Sequence, residues 1–268
     1  MKQPRHSETL DSILGGRLRI LQPRDGYRFS VDAILLGRFA RARRRDRVLE
    51  LGAGCGVVSM MLAALYGARE VVALEIQPAM AALIARNAGL NALAQISAVC
   101  ADLREPTIAS LGSFDLVVAN PPYRARHTGR ESPNPGRRIA RGSAEGSLAD
   151  FIGAAARYAR FGATIAIVFA ASRSAELIAL MRAHGLEPKR IRFVHPRLGL
   201  PASTILVAAS KGGGIEVKIE PPLAMYSEPG VYSAEAREWL EGFRIVAGSG
   251  NRKAGRVATG ADAGHYPE

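Results

Sequence analysis

The sequence predicts an α/β protein: a doubly wound, mostly parallel sheet of seven strands with an antiparallel last strand. Three observations carry that expectation. Short apolar runs of strand length alternate with longer stretches that place Leu, Ala and Ile at helical intervals. The first of these runs opens into a glycine-rich turn, Gly52-Ala53-Gly54-Cys55-Gly56, at the kind of strand end where open α/β sheets receive ligands. The last two runs are joined only by Pro196 to Ser203, too short for a parallel crossover, so they close as an antiparallel hairpin.

In chain order, Ser30 stands as a candidate N-cap of a helix that precedes the first strand. Strands are expected at 47–51, 70–76, 96–100, 115–119, 163–170, 189–194 and 204–209. Between them, helices are expected at 57–66, 78–88, 148–159 and 174–184. Runs such as Val71-Val72-Ala73-Leu74 and Ile165-Ala166-Ile167-Val168 are apolar at every position, as strands covered on both faces must be. Residues 1–247 read as one domain with an N-terminal extension. The tail, 248–268, holds five Gly and the single branched aliphatic Val257, and is expected to be disordered.

At 268 residues with 48% hydrophobic and 22% charged positions, the composition excludes a disordered or fibrous chain. Two cysteines, Cys55 and Cys100, cannot build a disulfide framework or a four-cysteine zinc site, which points to a reducing, cytoplasmic compartment. The first residues lack an apolar signal core. The longest uncharged run, 51–68, holds four glycines and reads as strand, loop and helix, not a membrane span.

The net charge of +12 is concentrated in three segments, 38–47, 124–141 and 189–197. Their 16 Arg and Lys and 2 acids leave +14, so the rest of the chain nets −2, a distribution suited to a polyanion partner. Arginine-rich coding would also raise the charge, since 5 of the 36 basic residues are Lys.

The glycine turn follows Glu50, and its spacing is G-x-G-x-G, not the G-x-G-x-x-G that seats a dinucleotide diphosphate. Gly52, Gly54 and Gly56 let the backbone approach a ligand closely, and a carboxylate at Glu50 suits a cofactor with a cationic amino-acid end. The segment resembles the first motif of the S-adenosylmethionine (SAM) methyltransferases. Glu75 ends the second strand, 21 residues after Gly54, where it can accept from both ribose hydroxyls. Asp102 follows the third strand, placed to accept from the adenine amino group while the Leu103 N–H reads the ring.

The fourth strand ends in Asn120-Pro121-Pro122-Tyr123. Two prolines remove two donors and stiffen the turn, leaving oxygens to face a substrate. The tetrapeptide resembles the signature of methyltransferases that act on planar amide or amine nitrogens. An amine conjugated to its ring is a poor nucleophile. Accepting its hydrogens at the Asn120 side chain and the Pro121 carbonyl favours pyramidal geometry, and Tyr123 can stack on the base. Upstream, Ser30 and Asp32 either approach the methionine end of SAM, with Phe29 walling the pocket, or merely cap a helix.

Together, Gly26-Tyr27-Arg28-Phe29-Ser30-Val31-Asp32-Ala33-Ile34-Leu35-Leu36, the glycine turn and Asn-Pro-Pro-Tyr resemble the bacterial tRNA adenine N6-methyltransferase family that modifies a valine tRNA beside its anticodon. Arg192-Phe193-Val194-His195-Pro196, Lys211-Gly212-Gly213-Gly214, Pro221 to Tyr226 and Val231-Tyr232 extend the likeness over 15–242. The resemblance implies a seven-stranded, Rossmann-like class I fold, SAM as the only cofactor, and a tRNA partner met by the three basic segments. The arginines of 124–141 follow directly on Tyr123, where phosphates beside a flipped base would lie. A protein glutamine N5-methyltransferase would share the Asn-Pro-Pro-Tyr corner, but usually carries a helical domain ahead of the glycine turn. Ribosomal RNA and DNA also present amines that such a corner could receive. His127 and His195 lack metal-ligand spacing with the cysteines, so no metal is expected. Lys211 reads equally as a phosphate contact or a strand exit.

Overall fold

The computed structural model describes residues 5–25, 28–105, 112–123 and 146–241. It opens with an antiparallel hairpin, β1 (Glu8–Ile13) and β2 (Leu18–Pro23), followed by α1 (Val31–Ala40). Then come β3 (Arg47–Leu51), α2 (Val57–Tyr66), β4 (Glu70–Glu75), α3 (Pro78–Leu90), β5 (Ile96–Cys100) and β6 (Phe114–Ala119). The second half supplies α4 (Leu148–Tyr158), β7 (Ala159–Ala170), α5 (Ser174–Ala183), β8 (Leu186–His195) and β9 (Thr204–Lys211). Short strands β10 (Lys218–Ile219), β11 (Leu223–Ala224), β12 (Tyr226–Glu228) and β13 (Val231–Tyr232) lead into α6 (Ala234–Glu241).

The seven long strands from β3 to β9 lie in the order β5-β4-β3-β6-β7-β9-β8. Only β9 runs antiparallel to its neighbours, β7 and β8, as the short 196–203 link requires. The sheet is wider than seven, because β10 and β11 each pair with β8. Both are two residues long, below what apolar patterning can register. β8 begins three residues earlier than expected, and its Pro188 sits at a register shift against β9, the place in a sheet where a missing N–H is tolerated.

Strands β3, β4 and β6 carry near-continuous burial because helices cover both faces. One apolar layer joins α1, α2, α3 and the N-terminal hairpin, with Leu36, Met60 and Ile84 fully buried. The opposite layer packs α4 and α5 through Phe151, Ile152, Leu177 and Met181. The N-terminal segment is therefore part of the core, not an appendage: its Leu14, Leu18, Ile20 and Leu21 are buried. No described helix is long and apolar enough to cross a membrane. The tail 248–268 lies outside the described residues.

Candidate active site

Parallel strands deliver their carboxyl ends to one edge of the sheet, and the candidate residues gather there. Gly52, Gly54 and Gly56 all hold left-handed backbone, with φ of 65°, 56° and 84°. A Cβ at Gly52 would lie 3.0 Å from the Phe151 ring, and one at Gly56 3.1 Å from Ile84, so side chains are barred by both conformation and space. Glu75 at the end of β4 spans the turn: one oxygen accepts the Gly54 N–H at 2.8 Å and the other the Gln77 N–H at 2.9 Å. Burial raises its carboxyl above the usual range.

Glu50, pointing from β3, is more extreme. It is buried and accepts from the Ser59 N–H at 2.8 Å and the Ser59 hydroxyl at 2.5 Å. Desolvation outweighs those bonds and pushes it up to about 7, with the nearby Glu75 charge adding to the rise. Two buried carboxyls around a glycine turn form an electronegative hollow that a cation would relieve. Cys55 beside them is buried, and its thiol is pushed up to about 12, so it is a packing residue of the turn and not a nucleophile.

Asn120, at the carboxyl end of β6, lines one cavity with Phe29, Ala33, Glu50, Gly52, Ala53, Cys55, Val57 and Val58. The proline corner thus meets the glycine turn across a shared space. Pro121 is buried and Pro122 half-buried. The Tyr123 ring stands edge-on to Phe169 at 5.4 Å, and its hydroxyl is turned toward the Asp32 carboxyl. In this arrangement the ring is packed inward, not presented for stacking.

Asp32 is brought to the same edge. Burial raises it, while hydrogen bonds from Tyr123, Ser30 and Thr204 pull it back, the last two at 3.4 Å. Ser30 occupies the N-cap position of α1 with extended backbone, but its hydroxyl turns to Asp32 and makes no capping bond. Asp102 and Leu103 follow β5. Asp102 is gripped by Arg104 through Nε and Nη2, which holds its carboxyl below the usual range, and Leu103 is buried in the α4–α5 layer.

The basic segments diverge. Segment 38–47 runs from the last turn of α1 to the first residue of β3, at the amino edge of the sheet and opposite the glycine turn. In 189–197 most of the charge is consumed internally. Arg190 stacks over Phe39 and bonds its carbonyl, Arg192 pairs with Glu235 at 2.8 Å above Trp239, and Lys189 donates to the Gly214 carbonyl. Arg197 alone of that segment stays exposed at the active-site edge. The arginines of 124–141 and His127 lie outside the described residues. Lys211 donates to the Ala156 and Ala159 carbonyls, which decides for the strand exit. No grouping of three His, Cys, Asp or Glu suited to a metal occurs among the described residues.

Residues 31–172, from α1 to just past β7, match the model of the methyltransferase small domain. The chain belongs to this family. Among relatives of this methyltransferase, a tRNA1(Val) (adenine(37)-N6)-methyltransferase of Aeromonas hydrophila is 27% identical over 213 residues, covering 78% of this chain and 87% of its own. A Shewanella amazonensis protein of the same name is 35% identical over 117 residues, 43% of this chain and 49% of its own. An Agrobacterium tumefaciens protein described as a predicted O-methyltransferase superposes with a TM-score of 0.64 at 26% identity, covering 78% of this chain and 94% of its own. The Thermus thermophilus 16S rRNA N2 G1207 methyltransferase, solved with AdoMet and guanosine, shares the fold with a TM-score of 0.55 at 21% identity over 76% of this chain and 50% of its own.

The methyltransferase site also depends on residues that spacing did not reveal. Buried Asn87 of α3 bonds the Cys55 carbonyl, and both the N–H and carbonyl of Leu21, tying the glycine turn to the N-terminal hairpin. Arg173 donates to the Tyr123 carbonyl at 3.0 Å, is held at two points by Glu176, and lies 4.8 Å above the Phe169 ring. A polar residue amid the apolar face of α3 was the one readable hint of Asn87; Arg173 left none.

Proposed function

We propose that this methyltransferase transfers the methyl group of SAM to the exocyclic N6 of an adenine in tRNA. The observation that carries the reading is the shared cavity: Asn120, directly after β6, faces the same space as Glu50 of β3 and Gly52 of the glycine turn. The residues present suit the cofactor, because the turn cannot carry side chains and the raised Glu50 and Glu75 carboxyls favour a bound cation. When bound, SAM supplies an electrophilic methyl carbon on a sulfonium. Glu75 is held by the Gly54 and Gln77 N–H groups so that its remaining lone pairs can receive ribose hydroxyls. Asn120 accepts an amine hydrogen, and the corner's carbonyl oxygens accept the second, draining the amine's conjugation before attack. No strong base is needed, because the amine proton becomes acidic only as the new bond forms.

A hydroxyl substrate, as the name of the Agrobacterium neighbour would have it, has one hydrogen and would leave this two-acceptor corner half used. For the cofactor's adenine to reach Asp102, that carboxylate must release Arg104. For the target adenine to stack on Tyr123, the ring must turn from Phe169. The names of the tRNA-modifying relatives support RNA as the carrier of that adenine.

The test is labelled methyl transfer to bulk tRNA, ribosomal RNA, RNA-free protein and duplex DNA, followed by digestion to nucleosides or amino acids. N6-methyladenosine formed only from tRNA supports the reading, and label in protein glutamine overturns it. Asn120→Ala is expected to lower turnover by about 100-fold or more, the order seen when one polar catalytic group is removed, with SAM affinity kept within a few-fold. Equal losses in both would reduce Asn120 to a wall of the cofactor cavity.

A further inference from the structure

Three stretches far apart in sequence meet at the amino edge of the sheet, the pole opposite the catalytic cavity. A cleft there is lined by Arg17 of the β1–β2 turn, Leu18 at the start of β2, Arg38 of α1, and Ala64, Leu65 and Tyr66 of α2. The Tyr66 hydroxyl donates to the Arg38 carbonyl, and the Arg44 side chain lies alongside Gly67, 3.7 Å from where a Cβ would stand. Asp46 then links the loop together, its carboxylate taking the Arg43 N–H at 2.8 Å and its carbonyl the Arg69 N–H at 3.0 Å.

The fold leaves most of the charges that result without a carboxylate partner. Glu70 and Asp115 are engaged by Arg47 and Arg160, and Glu220 is shared by Arg41 and Arg190. The end of α1 already has Arg38 near its last turn and Arg41 at its cap, while α2 is closed by the Gly67 N–H on the Leu62 and Ala63 carbonyls. Arg17, Arg43, Arg44, Arg45 and Arg69 are exposed and make no side-chain hydrogen bond or ion pair among the described residues. Arg69 is drawn to the Glu70 and Asp115 carboxylates. Arg17, which lines the cleft and is repelled by Arg38, and Arg43, Arg44 and Arg45 of the neighbouring loop pair with no carboxylate among the described residues, which costs electrostatic free energy in the free protein. A polyanion would recover it.

Resting on the tRNA reading, we infer that this pole is a second RNA contact, gripping backbone phosphates remote from the target adenine. The five residues of β3 alone separate the poles by roughly 16 Å, a span that a folded RNA covers while its target base occupies the cavity. Guanidinium forks match phosphate oxygens, and the cleft's Leu65 and Tyr66 offer a surface for ribose.

The experiment compares the full-length protein with Arg43→Gln/Arg44→Gln/Arg45→Gln and with Arg17→Gln/Arg69→Gln, none of which touches the cavity. On full-length tRNA, the triple variant is expected to raise KM about tenfold at physiological salt and to flatten the slope of log affinity against log salt by about 2 to 3. Turnover at saturating tRNA and SAM affinity stay within twofold, and progressive truncation of the RNA erases the difference from wild type. Unchanged KM and salt slope overturn the inference, as does a difference that persists on the shortest RNA. Variants that keep tRNA affinity but lose binding to an acidic protein also overturn it. If wild type methylates no tRNA, the functional reading fails instead, a result visible before any variant is made.

Discussion

In the proposed site, Glu50 would serve the cofactor at the expense of the protein's own stability. Burial lifts its carboxyl from the ordinary 4.5 to about 7, so folding favours the protonated form. A group raised in this way contributes its stability fully below pH 4.5 and loses it as the pH climbs through about 7. Glu50→Gln keeps an oxygen for the Ser59 N–H and carries no charge. The variant is therefore expected to lose less stability than wild type between pH 5 and 8, read as melting temperature without cofactor. Binding a cation has the opposite sign, because it favours the ionised carboxyl. SAM affinity of wild type should rise across the same pH window, while Glu50→Gln binds about tenfold more weakly with a flatter profile, as calorimetry would register. Parallel pH profiles for the two proteins would mean that Glu50 is ionised throughout and that its burial does not matter.

Elements place these residues, and their legibility differs by kind. The strand-turn-helix units around Glu50, Glu75 and Asn120 could be read directly, because each pairs a continuous apolar run with Gly, Pro or an acid at its end. What holds the Asn120-Pro121-Pro122-Tyr123 corner in place could not. Pro121 and Pro122 have no N–H to close the turn on itself, so its anchor must come from elsewhere, and the anchor is Arg173, fifty residues downstream beyond β7. Neither spacing nor composition encodes that meeting. Arg173→Ala is expected to lower turnover by about tenfold or more, with SAM affinity unchanged, since one charge-assisted bond of about 1.5–3 kcal/mol is lost from the corner alone. Arg173→Lys, which retains a donor, should restore part of the turnover. A variant that loses SAM binding in step with turnover would place Arg173 in the scaffold of the whole edge. Asp102 was legible in a different degree. Its position after β5 was legible, but the two-point grip of Arg104, two residues on, is a local rotamer outcome that a sequence leaves open.

At the scale of the molecule, the clustering of charge pointed to a polyanion partner but not to which arginines the fold would leave for it. That depends on which carboxylates the fold brings within reach. The same limit hid the N-terminal hairpin, which read as an extension because its strands have mixed patterning; only Gly15-Gly16 marked a turn between them, and both glycines hold positive φ. Its removal is the sharpest whole-molecule test. Leu14, Leu18, Ile20 and Leu21 are at most 2% exposed. Glu8 bonds Arg86, while Asn87 of α3 and Asn91 just after that helix satisfy the backbone of Leu21 and Arg19. Four such side chains contribute about 6–12 kcal/mol at about 1.5–3 kcal/mol each, comparable with the about 5–15 kcal/mol that separates a folded domain from its unfolded chain. The loss also uncovers Asn87, whose amide would keep the Cys55 carbonyl but lose both Leu21 partners, loosening the glycine turn from behind. A chain starting at residue 26 is therefore expected to lack a cooperative thermal transition and to bind no SAM. Cooperative melting within a few degrees of the full chain would show that the hairpin merely rests on α3. The packing of the glycine turn would then have to be explained by α2 and β4 alone.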